Sequence, residues 1–356
     1  MKGSETLGRT LSALALMGVF VFLYSGDRQM SPYLKSILFF WAVNAIFAVA
    51  FNLIYGYAGQ FSLAHAGIAA VGAYTMSLLV LSPREKMTAF IIEPPIWPIS
   101  VIQWPFVPAL LLAGIIAGLV GFVIGAPALR LRGNGLVIVT LGLSEIIRLL
   151  LCTMPGVTNG ALGLKGIPQQ ANLVWAWGLV ALVILVTKRL VDSSYGRALK
   201  ALKDDEIAAA AVGIAVSRHK LMAFTVSSFF VGIGGALLAQ LLKTIDPNTF
   251  QSTLTFGVIT TVILGGVGSI TGSVLATGIY TIMSELLRAA EDPRTIMGIN
   301  LPGIPGMRML TFSTMLLVLI LFYRRGLMGT NEFSWGWLLS KLHVRRVGVG
   351  TPEGQP

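Results

Sequence analysis

The sequence predicts an all-α, polytopic integral membrane protein of about ten transmembrane helices, and three observations predict it. Hydrophobic residues make up 55% of the 356 and charged residues only 12%, about half the charge of a soluble domain. Mean hydropathy is +0.79, more apolar surface than a core absorbs, so lipid must cover the rest. The apolar residues fall in runs of about 18 or more rather than in alternation, which selects helices over barrel strands.

The first run, 7–24, follows Lys2 and Arg9 and has the look of a signal peptide. No small-residue cleavage site follows it and 26–33 reads as a short loop, so it is expected to be a span with the N-terminus in the cytoplasm. Further runs lie at 34–55, 60–81, 106–129, 135–152, 172–187, 221–242, 253–268, 271–287 and 309–323. Ten spans return the C-terminus to the same side, where Arg324, Arg325, Lys341, Arg345 and Arg346 belong by the positive-inside rule. The same threading puts Arg130, Arg132, Lys188, Arg189, Arg197, Lys200 and Lys203 inside, and leaves outside the loops 83–105, 153–171, 243–252 and 288–308, which are rich in Pro, Gly and Trp. The stretch 253–287 is too long for one helix and divides at Gly265, Gly266 and Gly268. Three regions result: an N-terminal segment with the first span (1–32), a transmembrane domain (33–323), and a basic cytoplasmic tail (324–356).

The formal charge of +11 and pI near 10.0 are therefore topological signals, and no nucleic-acid partner is expected. The one cysteine, Cys152, lies inside an apolar run; it excludes an intramolecular disulfide and a thiol-rich metal site and is expected to serve packing. Many of the 40 glycines recur at close-packing spacing, among them Gly114, Gly118, Gly121, Gly232 and Gly235.

Two interruptions, Gly56-Tyr-Ala-Gly59 and Gly265-Gly-Val-Gly268, join apolar runs with almost no polar loop. They are either breaks along a transport pathway or tight cytoplasmic turns. Ionisable and amide groups within the runs are few. Glu145 with Arg148, and Glu285 with Arg288, share helix faces near the outer ends of their runs and read as structural pairs at the interface. Asn44, Asn52 and His65 serve either helix-helix hydrogen bonds or substrate contact.

The longest charged, helix-forming stretch is 193–220. Leu199 and Leu202 share a face flanked by Lys200 and Lys203. Asp204 can cap a helix whose first turn holds Asp205 and Glu206, favourable at the positive end of its dipole. The alanines 208–211 propagate that helix, expected over 205–212, and Gly213 can end it. Its small-residue face suits a groove in another protein. Phosphate-loop, HExxH and GxSxG motifs are absent, and His65, His219 and His343 are widely scattered. The chain is expected not to be an enzyme, so any ATPase is a separate subunit.

Four stretches together resemble the LivM-type permease subunits of branched-chain amino acid ABC importers. They are Tyr55-Gly-Tyr-Ala-Gly-Gln-Phe-Ser-Leu-Ala-His-Ala-Gly67; Arg130-Leu-Arg-Gly-Asn-Gly-Leu-Val-Ile-Val-Thr-Leu-Gly142 with Glu145-Ile-Ile-Arg148; Gly196-Arg-Ala with Asp204-Asp-Glu-Ile-Ala; and Leu264-Gly-Gly-Val-Gly-Ser269. The resemblance covers about 34–323. It implies an ABC importer permease fold in a bacterial-type inner membrane, a homologous second permease, two cytoplasmic ATPases that bind ATP and Mg, and an external solute-binding protein. No cofactor is expected in this chain.

The resemblance makes 193–220 the coupling loop, with Gly196, Arg197, Asp204, Asp205, Glu206, Ala208, Ala209 and Gly213 at the ATPase contact. The importer signature EAAxxxG is matched by Ala208, Ala209 and Gly213, whereas Ile207 stands where the family has glutamate, with Glu206 one residue earlier. A translocation pathway is expected past Asn52, Gln60, Ser62, His65, Thr140 and Glu145. Relatives moving urea, short amides or other amino acids leave the substrate open. An ion-coupled secondary transporter, the alternative of another class, would want a carboxylate near the bilayer midplane, and none is placed there.

Overall fold

The computed structural model describes residues 30–131 and 133–291 and, beyond them, short stretches up to Glu332. Helix α1 (Pro32–Asn52) opens on a Ser31 cap with proline in its first turn, and continues through a π turn at Leu53–Tyr57. There follow α2 (His65–Val80), α3 (Pro83–Ala89), α4 (Phe106–Ala128), α5 (Asn134–Thr153) and α6 (Leu173–Asp192). Next come α7 (Ser194–Asp204), α8 (Glu206–Ala211), α9 (Val216–Leu242), α10 (Ser252–Gly265) and α11 (Ile270–Glu291).

Eight of the ten expected runs are thus helical. Six are long and apolar enough to cross a membrane, while α2 has 16 residues and α10 has 14. The runs at 7–24 and, for most of its length, 309–323 lie outside the described residues. The division at 265–268 is present, but several ends move. Helix α6 runs on to Asp192, α9 starts at Val216, and α2 starts at His65 rather than at residue 60. The all-α expectation also misses two short antiparallel ladders: β1 (Leu164–Lys165) pairs with β2 (Thr244–Ile245), and β3 (Arg294–Ile296) with β4 (Ile299–Leu301).

Helices α1 and α9 are buried over most of their length and form the centre of the bundle. Around them the usual pattern of soluble helices is inverted. Helix α4 turns Ala109, Ala113, Gly114 and Ala117 inward and exposes Leu111, Ile115, Leu119 and Val123. Large residues suit lipid, and small ones let backbones meet. At one close crossing a Cβ on Gly232 of α9 would lie 2.3 Å from the Ala117 Cβ, and one on Gly72 of α2 would lie 2.2 Å from the Gly232 carbonyl oxygen.

Helix α2 begins inside the protein. Its N-cap, Ala64, has no capping side chain, so hydroxyls from other helices take over that role. Thr140 of α5 accepts from the Leu63 amide (3.0 Å), Thr255 of α10 from Ala66 (3.1 Å), and Ser144 of α5 from Gly67 (2.9 Å). Ser144 lies about 15 Å along α5 at 1.5 Å per residue. The segment 59–63 is therefore non-helical backbone at depth, tolerated because protein surrounds it. Both acid-base pairs form: Arg148 to Glu145 at 2.7 Å and Arg288 to Glu285 at 2.8 Å. Each also receives a hydroxyl from the start of another helix, Ser252 of α10 on Glu145 and Tyr33 of α1 on Glu285.

Candidate functional site

The two glycine breaks, more than 200 positions apart in the sequence, lie against each other at the end of the bundle that carries α7 and α8. Asn52, at the end of α1, joins them. Its Nδ2 donates to the Ser269 carbonyl (2.8 Å) and Ser273 Oγ (2.9 Å), while its Oδ1 accepts from the Gly268 amide (2.9 Å). The approach leaves no room for a side chain: a Cβ on Gly56 would lie 1.8 Å from Asn52 Oδ1 and 2.7 Å from Gly268 N. Lys203 of α7 closes the joint, its Nζ donating to the Gly56 carbonyl at 2.7 Å. Gly56 lies in the last turn of Leu53–Tyr57, where a carbonyl has no later helical amide to accept from.

A segment from near the C-terminus completes the second break. The Leu327 and Met328 amides donate to the Leu264 and Gly265 carbonyls (2.8 and 3.1 Å), which would otherwise be orphaned at the end of α10. The Glu332 carboxylate accepts from the Ile270 and Thr271 amides (2.6 and 3.1 Å), the Thr271 hydroxyl (2.8 Å) and the Tyr57 hydroxyl (3.2 Å). It sits at the positive end of α11. Lys200, 5.8 Å above the Tyr57 ring, and Lys203 share with these groups a cavity of about 370 Å³.

The charged stretch 193–220, the handle of the bundle, is built on that joint. Ser193 caps α7 by accepting from the Gly196 amide. Gly196 is pressed so closely on the end of α6 that a Cβ there would lie 2.2 Å from the Val191 carbonyl oxygen. Arg197 donates to the Asp192 carbonyl at 3.4 Å. Leu199 and Leu202 are buried against the bundle as their shared face predicts. Tyr195 donates to the His219 carbonyl at 2.5 Å, and burial pushes its phenol up to about 12.

The cap of α8 is Asp205, not Asp204. The Asp205 amide still bonds to the Ala201 carbonyl, so Asp204 is the last residue of α7. Asp205 Oδ1 accepts from the Ile207 and Ala208 amides (2.8 and 3.0 Å). Helix α8 then spans only Glu206–Ala211, shorter than the expected 205–212. Gly213, at φ +87°, ends it: the Gly213 amide bonds to Ala210 and the Ile214 amide to Ala209, the paired closure of a left-handed helix cap. Lys220 of α9 reaches Glu206 at 2.8 Å. Ala209 faces inward, while Ile207 and Val212 stand 75% and 78% exposed with Ala208, Ala210 and Ala211 beside them.

The expected pathway residues separate by role. Asn52 and Thr140 spend their polar atoms on helix joints, Ser62 accepts from the Ala64 amide at 3.3 Å, and His65 is buried against Phe51 and Ser227. Gln60 lines a cavity of about 460 Å³, and Glu145 lines a cleft of about 260 Å³ with Ser252. Among the described residues no three metal-ligating side chains gather. Sequence reasoning missed Lys203 as a joint and Glu332 as a cap. Only the recurrence of the two glycine breaks hinted that they meet.

The model of the family described as branched-chain amino acid transport system / permease component matches residues 33–322. The chain belongs to this family. It is 30% identical over 289 residues to the high-affinity branched-chain amino acid transport system permease protein LivM of Salmonella typhimurium and 31% identical over 289 to LivM of Escherichia coli, each match covering 72% of this chain. The match spans 64% of the length of those two relatives. Similarity extends to the LivH permease protein of Escherichia coli, 22% identical over 265 residues, 69% of this chain and 82% of LivH. No solved structure matches. A permease component of a transport system in a membrane accounts for the apolar spans, and these relatives are transport components rather than enzymes.

Proposed function

We propose that the chain is the permease subunit of an ATP-driven ABC importer that moves branched-chain or related amino acids into the cytoplasm by alternating access. The single observation that carries this is α8. It is a capped, exposed helix of alanines flanked by Ile207 and Val212, outside any lipid-facing span, tied through α7 and Lys203 to both glycine breaks. Exposed apolar surface of this kind marks a contact. Its partner is a cytoplasmic ATPase, contacted by Arg197, Asp204, Asp205, Glu206, Ala208 and Gly213, whereas Gly196 and Ala209, expected at the same contact, are buried against the bundle and position the helices that make it. Similarity to both LivM and LivH supports a second, homologous permease, and the solute-binding protein docks on the opposite side.

In this mechanism nucleotide binding draws the ATPases together and displaces α8. The displacement passes through α7 to Gly56 and Gly268, where α1, α2, α10 and α11 meet, and shifts the balance between inward and outward forms. Ala208→Trp tests it by placing bulk on the exposed face without disturbing the cap. Uptake and ATPase co-purification should be lost while membrane insertion is retained. Normal ATP-driven uptake in that variant, or uptake that survives ATP depletion and collapses with an ionophore, overturns the proposal.

A further inference from the structure

The connection from α2 to α4 is built unlike a loop in water. Its basic side chains and one of its two acids gather on α3, at Arg84, Glu85 and Lys86, whereas 91–104 carries only Glu93. In that segment Ile91, Ile92, Ile96, Trp97, Val101 and Trp104 are all exposed, Trp97 by 78%. Exposed apolar surface of this density marks a contact. The backbone beneath it is also fixed. The Ile91 and Ile92 amides donate to Asn159 Oδ1 (3.0 and 3.4 Å), the Ile96 amide to the Gly156 carbonyl (3.0 Å) and the Trp104 amide to the Leu79 carbonyl (2.8 Å). From α3 the fully buried Lys86 donates to the Ile99 carbonyl at 2.8 Å and to the Ile102 carbonyl. Pro94, Pro95 and Pro98 have no amide to satisfy. Solvent would serve these groups in an aqueous loop; where water thins out at a bilayer, main-chain groups need partners inside the protein.

Those partners also place the segment. Gly156 and Asn159 lie just beyond the end of α5, and Trp104 just before the start of α4, so 91–104 runs between these two helices at the end of the bundle opposite the handle. Both helices turn large residues outward, Ile146 and Leu149 on α5, Leu111 and Ile115 on α4, and the exposed Val107 carries that surface up to Trp104. At the same end Trp175, exposed at the start of α6, packs edge-on against Phe106 of α4 with 5.4 Å between ring centroids. Tryptophans at the ends of spans belong to the boundary between headgroups and acyl chains. We propose that 91–104 is an interfacial element whose apolar side chains sit in the headgroup region of the leaflet opposite the handle. There it continues the lipid-facing surfaces of α4 and α5 and holds those two spans at a fixed height. Continuity with that surface selects lipid over a soluble protein as the occupant, and the contact does not depend on what the chain transports.

The experiment uses the full-length chain, assembled with its second permease and ATPases, in vesicles of phosphatidylethanolamine and phosphatidylglycerol. Nitroxide labels are attached through Trp97→Cys and, separately, Arg84→Cys, each combined with Cys152→Ser. Relaxation of the label by dissolved oxygen, which concentrates in the bilayer, is compared with relaxation by a water-soluble nickel chelate. The label at 97 should lie about 5–10 Å into the boundary between headgroups and acyl chains, with an oxygen-to-nickel ratio several-fold above that of the label at 84. Should the cysteine variants fail to assemble, Trp97→Phe replaces them: quenching of tryptophan emission by brominated phospholipid should fall when Trp97 is lost. Equal ratios at 97 and 84, or in the second design quenching unchanged by Trp97→Phe, overturn the proposal. So does a label at 97 that stays in water until a solute-binding protein is added and is shielded only then, since that is the signature of a protein-docking surface.

Discussion

Hydroxyl side chains set where α2 begins. Thr140, Thr255 and Ser144 hold the Leu63, Ala66 and Gly67 amides in a region where water does not reach. Ser144→Ala leaves the Gly67 amide unmatched and should destabilise the chain by about 1–3 kcal/mol, read as a lower unfolding temperature in detergent. Ser144→Thr, which keeps the hydroxyl, should recover part of it; equal stability of all three proteins would show that the hydroxyl contributes nothing. None of this start is visible in the apolar run 60–81, because the residues that decide it come from two other helices. The Asp204 and Asp205 ambiguity is of the same kind. Adjacent carboxylates have equal capping chemistry, and the choice falls to Asp205 because α7 holds on to Asp204 through its last turn.

Helix packing was more legible. The glycine spacing of α4 and α9 predicted close approach, and the bundle has it. Spacing alone, however, ranks the glycines equally, whereas their surroundings differ widely. At Gly118 the nearest atom to an added Cβ, Phe229 Cβ, is 3.5 Å away, an ordinary contact; at Gly232 the Ala117 Cβ is 2.3 Å away. Gly118→Ala should therefore be neutral or slightly stabilising, since alanine favours helix. Gly232→Ala must separate α4 from α9 and should lower the unfolding temperature by several degrees or abolish folded protein. Similar melting of the two variants would contradict the packing described here. The handle shows the opposite case. A Cβ on Gly213 would meet nothing within 4 Å, so its glycine answers to backbone conformation alone. Gly213→Asn, which tolerates a positive φ, should keep α8 intact where Gly213→Val frays it, as measured by hydrogen exchange over 206–214.

The whole molecule depends on one joint that no local pattern announces. The sequence displays two glycine breaks and a charged loop as three separate features. Folding brings the breaks together through Asn52 and attaches the loop through Lys203, whose ammonium donates to the Gly56 carbonyl. If the handle drives the bundle, as we propose, this hydrogen bond lies on the path between them. Lys203→Met keeps the aliphatic stem and removes the donor. The Asn52 bonds and the Glu332 cap do not involve Lys203, so the breaks should stay joined, membrane insertion should be normal, and the ATPases should still co-purify. ATP hydrolysis should then continue while uptake per ATP hydrolysed falls several-fold, the signature of a slack linkage rather than a lost partner. Measuring uptake and phosphate release on the same proteoliposomes separates the outcomes. A fall in both together would mean that Lys203 acts in docking, and an unchanged ratio would remove the joint from the transmission path.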